Sequence, residues 1–280
     1  MADDLDRPCL VMVAPNGARR RRADHPALPV TAEELAREAA ACAAAGATAL
    51  HMHVRDEEER HSLDPDRARV WLARVRQAVG SRMAIQLTTE AVGRYGPAEQ
   101  MALVRALRPE AVSLAPRELF GNGDEPDAEV RDFLAWLVET GISPQYILYT
   151  PEEVRHFHAL RARGVIPQAR PFVLFVLGRY LEAGETVSPA SLCAYLAAHD
   201  PACPWAVCAF GREETACLLA AAAMGGHVRV GFENSLLNGD GSLARDNAQR
   251  VAAIVEGLGL MGRRPADPGE TRALLAAAAR

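Results

Sequence analysis

Aromatic residues make up only 5% of this 280-residue chain, and basic residues do not outnumber acidic ones, with 31 Lys+Arg against 36 Asp+Glu. A formal charge of -5 and a pI near 5.9 leave no overall electrostatic footprint for DNA or RNA, so nucleic acid is not an expected partner. Cysteine is sparse as well: Cys9, Cys42, Cys193, Cys203, Cys208 and Cys217 form no CxxC pair and mostly sit in apolar segments. They read as small core residues in a reducing compartment. No apolar run reaches the roughly 18 residues a membrane span needs. The start, MADDLDRP, has neither the basic nor the apolar region of a signal peptide. A cytoplasmic protein with no membrane partner is expected. No stretch rich in Gly, Ser or Pro divides the chain, so residues 1–280 are read as a single domain.

At 49% hydrophobic and 24% charged, the chain has the balance of a globular protein able to bury a sizeable core. Short β-branched or apolar runs alternate with Ala/Leu/Glu/Arg-rich stretches at helical spacing, the mark of βα units around a parallel sheet. The strand candidates are Leu10–Ala14, Thr48–Val54, Met83–Thr88, Ala111–Leu114, Gln145–Tyr149, Phe172–Leu177, Trp205–Ala209 and Val228–Phe232. The helix candidates are Thr31–Ala45, Asp66–Val79, Pro97–Leu107, Asp127–Thr140, Pro151–Arg163, Pro189–His199, Arg212–Met224 and Ala244–Gly259, with Thr271–Ala279 as a C-terminal extension. Thr31 with Glu34 forms a capping box, and Pro151 and Pro189 suit a first helical turn. Eight such units, with no GxGxxG after the first strand, predict a TIM (β/α)8 barrel rather than a doubly wound sheet. Its chemistry is then expected at the C-terminal ends of the strands.

The second strand candidate ends in Leu50-His51-Met52-His53-Val54-Arg55-Asp56. Strand side chains alternate with period 2, so His51 and His53 point to one side and can share a divalent metal. His156-Phe157-His158 has the same spacing inside a helix pattern, where i and i+2 diverge by about 200°, and should not chelate. At the eighth strand, Arg229, Gly231 and Glu233 share one parity. A closed barrel brings strand 8 beside strand 1 and near strand 2, so Glu233 can complete a His2Glu set with positions open for substrate. The alternative is two core histidines bonded to carbonyls, with Glu233 paired to Arg229 or Arg55.

With these residues in view, the chain resembles the β-keto acid cleavage enzymes, which include the 3-keto-5-aminohexanoate cleavage enzymes. The resemblance spans nearly the whole chain. It rests on Asn16-Gly17-Ala18, Pro26-Ala27-Leu28-Pro29-Val30-Thr31, His51-Met52-His53-Val54-Arg55, Gln86-Leu87-Thr88-Thr89, Phe175-Val176-Leu177-Gly178 and Gly225-Gly226-His227-Val228-Arg229-Val230-Gly231-Phe232-Glu233-Asn234. It implies a homotetrameric TIM barrel with Zn2+ on His51, His53 and Glu233. Such an enzyme converts a β-keto acid and acetyl-CoA into acetoacetate and a new acyl-CoA. By motif position, Thr88, Thr89 and Ser113 would hold the substrate carboxylate, and Arg229 would polarise the site.

Three carboxylates of the aminohexanoate enzymes are replaced here, by Arg19, Ile147 and Asn234. Arg19 favours a neutral or anionic substrate tail over an ammonium. Asn234 cannot accept a proton as an Asp would, which leaves the base as Glu118 or a hydroxide on the metal. The run Arg19-Arg20-Arg21-Arg22 either meets the CoA phosphates or a neighbouring subunit, or is a solvated loop. Gly211-Arg212, at a helix start, is a second phosphate candidate. The competing readings are a metal-dependent aldolase or hydrolase without CoA, and a non-catalytic barrel that binds a keto acid or CoA ester.

Overall fold

Eight parallel strands close on themselves in the computed structural model, which describes residues 8–120, 125–180 and 186–280. The first seven residues, part of the signal-peptide reading, lie outside these. In chain order the elements are β1 (Val11–Val13), α1 (Ala32–Ala44), β2 (Ala49–Met52), α2 (Pro65–Val79), β3 (Ala84–Thr88), α3 (Pro97–Leu107), β4 (Ala111–Leu114), α4 (Pro116–Leu119), α5 (Ala128–Thr140), β5 (Ser143–Leu148), α6 (Pro151–Ala162), β6 (Phe172–Leu177), α7 (Ser191–Ala198), β7 (Trp205–Ala209), α8 (Glu214–Ala223), β8 (His227–Val230), α9 (Asn247–Leu260) and α10 (Pro268–Ala278). Each strand pairs with its sequence neighbours, and β8 closes onto β1 through Met12 opposite Arg229. The TIM barrel expected from the alternation is therefore the fold.

Strand parity sorts the side chains into two cores. One set faces outward onto the helices, for example Val11, Leu50, Ile85, Val112 and Val207. The other fills the barrel: Leu10, Met12, Ala49, Ala84, Ala111, Phe172, Leu174 and Ala206. Three alanines in the lower barrel leave room for α10, whose Leu275 and Ala278 pack against this cluster. Thr271 on α10 shares a 2.7 Å hydroxyl hydrogen bond with Thr48. Upward along the same faces the residues turn polar, from Ala49 to His51, from Ala84 through Gln86 to Thr88, and from Ala111 to Ser113. The bottom of the barrel is thus closed by apolar packing, and the polar groups are gathered at the top.

Local signals placed most helices. Thr31 and Glu34 form the expected capping box, and the Asp127 side chain caps α5. Three expectations change. Pro189 precedes α7 in a turn, where Leu192 N–H donates to its carbonyl. Arg212 lies outside α8, whose first residue is Glu214. The four-residue α4 was not anticipated, and it carries Glu118. β2 and β8 are also shorter than expected, so His53 and Glu233 lie just past the strands that aim them.

Candidate metal and substrate site

His51 and His53 are both buried, and their Nε2 atoms stand 3.0 Å apart. Glu233 reaches them from the turn after β8, with Oε2 at 3.5 Å from His51 Nε2 and 3.3 Å from His53 Nε2. One ligand atom from each residue falls within 4.8 Å of the others. Burial depresses His51 to about 4 and holds His53 well below its ordinary range, so both rings are neutral near pH 7. Burial opposes the charge on Glu233, but the Arg229 guanidinium beside it prevails and the carboxyl lies well below the usual carboxylate range. Two neutral imidazoles and one carboxylate are a fitting donor set for a divalent cation. Glu233 Oε2 and His53 Nδ1 are moreover buried without hydrogen-bond partners.

Backbone geometry makes this convergence possible at two glycines. Gly17 has φ +60, and a Cβ there would come within 2.6 Å of Glu233 Cγ. Gly231 has φ +142, and a Cβ there would meet Ala14 O at 2.5 Å. Only glycine lets the β1 loop and the β8 turn approach so closely. The buried Arg55 then ties the β1 loop down, donating to the carbonyls of Asn16, Gly17 and Arg20.

The cavity beside the cluster has a polar and an apolar side. His51, Thr88, Ser113, Arg229 and Glu233 line the first, and Ile147, Val176 and Phe210 the second. The expected carboxylate binders differ in what they can still offer. Thr89 Oγ1 donates to Ser113 O at 2.8 Å, so its proton is engaged. Thr88 Oγ1 accepts from Glu90 N–H and keeps its proton free, and Ser113 Oγ is buried without a partner. Glu118 lines the cavity, its carboxyl raised by burial, while Oε2 accepts from Ala91 N–H at 2.9 Å and Gln100 Nε2 at 3.3 Å.

Two cavity residues escaped the sequence reading. Glu90 follows the Thr88-Thr89 pair with Oε2 3.8 Å from His53 Nδ1, and burial reinforced by the Glu233 charge pushes it up to about 7. Arg179, next to Gly178, lies 3.7 Å from Glu90 and places its guanidinium 4.6 Å from the Phe210 ring centre. Both directly adjoin quoted motifs, and that adjacency was the available signal.

Arg229 Nη2 donates to Cys208 Sγ at 3.2 Å, Glu233 Oε1 at 3.1 Å and Asn234 Oδ1 at 3.2 Å. Asn234 is fully buried and does not line the cavity; its amide donates to Glu214 Oε1 and Arg229 O. Arg19 is exposed at the mouth, in a recess it shares with Arg20, Arg179 and Glu90. Its neighbour Arg22 instead pairs with Glu34 and Glu59. His158 sits on α6 as expected and bonds to His199 at 3.0 Å, away from the cluster.

Comparison with known proteins places the chain in a family. Residues 8–276 match the profile of the beta-keto acid cleavage enzymes. The chain is 30% identical over 275 residues to a 3-keto-5-aminohexanoate cleavage enzyme of Fusobacterium nucleatum, covering 95% of this chain and 97% of the relative. It is 29% identical over 282 residues to a 3-oxoadipate:acetyl-CoA acetyltransferase of Cupriavidus necator, covering 97% and 95%. Among solved structures, ObcA with oxaloacetate superposes with a TM-score of 0.69 at 16% identity over 89% of this chain and 67% of the other, a likeness of fold. With its profile matched almost end to end, the chain belongs to the β-keto acid cleavage enzyme family.

Proposed function

We propose that this enzyme, with zinc on His51, His53 and Glu233, exchanges acyl groups between a β-keto acid and acetyl-CoA to give acetoacetate and a new acyl-CoA. The observation that carries the reading is the His2Glu cluster facing a cavity with free hydroxyl donors and a buried guanidinium. Bound there, zinc would supply a Lewis acid for the keto and carboxylate oxygens as charge develops on them. Ser113 and Thr88 donate hydroxyl protons to the substrate carboxylate, and Arg229 polarises the reacting carbonyl. Glu90 takes the proton from C2, with Glu118 as the other cavity carboxylate able to do so. C2 then bonds to the acetyl carbonyl carbon and CoA leaves as the thiolate. That thiolate adds to the original keto carbon, and cleavage of the bond to C2 gives the new acyl-CoA and the acetoacetate carbanion, which takes the proton back from Glu90 and leaves as acetoacetate.

The tail of the keto acid runs along Ile147 and Val176 toward the mouth, where Arg19 and Arg179 favour a neutral or anionic end. The homotetramer and cytoplasmic location are part of the same proposal. Six free cysteines, five of them buried, suit a reducing compartment. Among the described residues no helix is long and apolar enough to cross a membrane. The competing aldolase cannot work through a Schiff base, because all 31 Lys+Arg residues of this sequence are arginine. A metal aldolase or hydrolase would turn over without acetyl-CoA, and a pure binding barrel would show affinity without product.

Metal analysis and turnover test the reading together. Wild type should hold about one zinc per chain, and His51→Ala or Glu233→Ala should lose both metal and acyl exchange while keeping the fold. Stoichiometric metal in both variants contradicts the site.

A further inference from the structure

Glu214 opens α8 with its carboxylate turned inward and fully buried, away from the cavity. Gly231 N–H and Asn234 Nδ2 each donate to its Oε1 at 3.1 Å, and Arg250 Nη2 on α9 donates to its Oε2 at 2.5 Å. Arg250 is itself 1% exposed, so the ion pair is sealed behind the turn that carries Glu233. The rest of that turn is held too. Phe232 N–H donates to Asn247 Oδ1, Glu233 N–H to Ala14 O and Asn234 N–H to Gly231 O. From Asn234 the network runs on through Arg229 to Glu233 Oε1.

The side chain at 234 has a demanding position here. Its nitrogen faces two acceptors, Glu214 Oε1 and Arg229 O, each at 3.1 Å, while its oxygen accepts from Arg229 Nη2. Asparagine meets all three. An aspartate has no protons for the two acceptors and sets a second carboxylate against Glu214 in a site closed to water.

We propose that Glu214, paired with Arg250, is a positioning residue: through Gly231 and Asn234 it fixes the Glu233 carboxylate and the Arg229 guanidinium, and it makes an amide the required side chain at 234. The proposal rests on the acyl-exchange reading above for its effect on turnover, and on hydrogen-bond geometry alone for its effect on the turn.

The test compares Asn234→Asp, Glu214→Gln and the double variant by three readouts: melting temperature of the metal-free protein, zinc affinity, and kcat and KM. Asn234→Asp should weaken zinc by about tenfold and lower kcat by about a hundredfold, with KM for acetyl-CoA within about twofold. Adding Glu214→Gln gives the introduced carboxylate an amide donor and should recover about tenfold in kcat. Should Glu214→Gln fail to fold, Glu214→Leu with Arg250→Met removes both charges together, which cores tolerate, and should still loosen zinc by about tenfold. Wild-type zinc affinity and kcat in Asn234→Asp, or a lowered melting temperature with both unchanged, overturns the positioning role. So does a double variant no better than Asn234→Asp. In each case an active wild type leaves the acyl-exchange function standing. A wild type without exchange overturns that function and the catalytic half of this proposal with it.

Discussion

His51 donates its Nδ1 proton to Gln86 Oε1 across 2.7 Å, and this bond decides what the rest of the ring can do. The Gln86 amide is itself oriented, because its Nε2 donates to Gln145 Oε1 at 3.0 Å. With the proton on Nδ1, the His51 Nε2 lone pair faces His53 and Glu233 as a metal ligand requires. Gln86→Met keeps the volume and removes the acceptor. Zinc affinity should fall by about tenfold to a hundredfold with the fold intact. Titration against a competing chelator measures it, and an unchanged affinity would show that the ring is aimed by packing alone.

Glu90 stands between His53, Arg179 and the cavity, without the hydrogen bonds from Ala91 N–H and Gln100 Nε2 that tie down Glu118 Oε2. Glu90→Gln should lower kcat by about a hundredfold or more with KM little changed, whereas Glu118→Gln should cost less than about tenfold. The reverse order in steady-state assays would make Glu118 the proton acceptor.

Substrate choice turns on the arginines at the mouth. Arg19→Glu should shift the kcat/KM ratio toward a cationic keto acid by about tenfold, equivalent to roughly 1.4 kcal/mol. Arg19 and Arg179 share one recess, so Arg179→Gln should move the ranking in the same direction. If Arg19→Glu changes only KM for acetyl-CoA, that arginine belongs to the CoA path.

His227 provides a pH dependence remote from the metal cluster. Its Nδ1 accepts Leu10 N–H at 3.0 Å, and burial together with Arg263 lowers it to about 3. Its unfolded value is about 6.5, so between about pH 6.5 and 3 the unfolded chain binds the extra proton and stability falls as pH falls. The slope from this group reaches about 1.4 kcal/mol per pH unit. His227→Asn keeps an acceptor for Leu10, and urea unfolding of the metal-free protein from pH 7 to 4.5 should lose less stability by that slope. Parallel curves for variant and wild type would place the acid sensitivity elsewhere.

The βα alternation was legible because each unit carries its own period, caps and prolines. His51 and His53 were legible for the same reason, since their relation is local. Glu233 was reached by a parity argument although β8 ends at Val230, and it is the positive-φ Gly231 that carries the turn inward. What stayed hidden depends on contacts between distant segments. Glu90 is perturbed by residues after β8 and after β6, Glu214 meets Arg250 across two helices, and α4 is too short to show a period.

The central claim is that acetoacetate takes its terminal two carbons from acetyl-CoA and its carboxyl end from the keto acid. Turnover of 13C2-acetyl-CoA with a panel of unlabelled β-keto acids, read by 13C NMR of the acetoacetate, tests it most directly. Label confined to C3 and C4, with a matching unlabelled acyl-CoA, is the predicted result. Label in C1 and C2, or acetoacetate formed without acetyl-CoA, would contradict it.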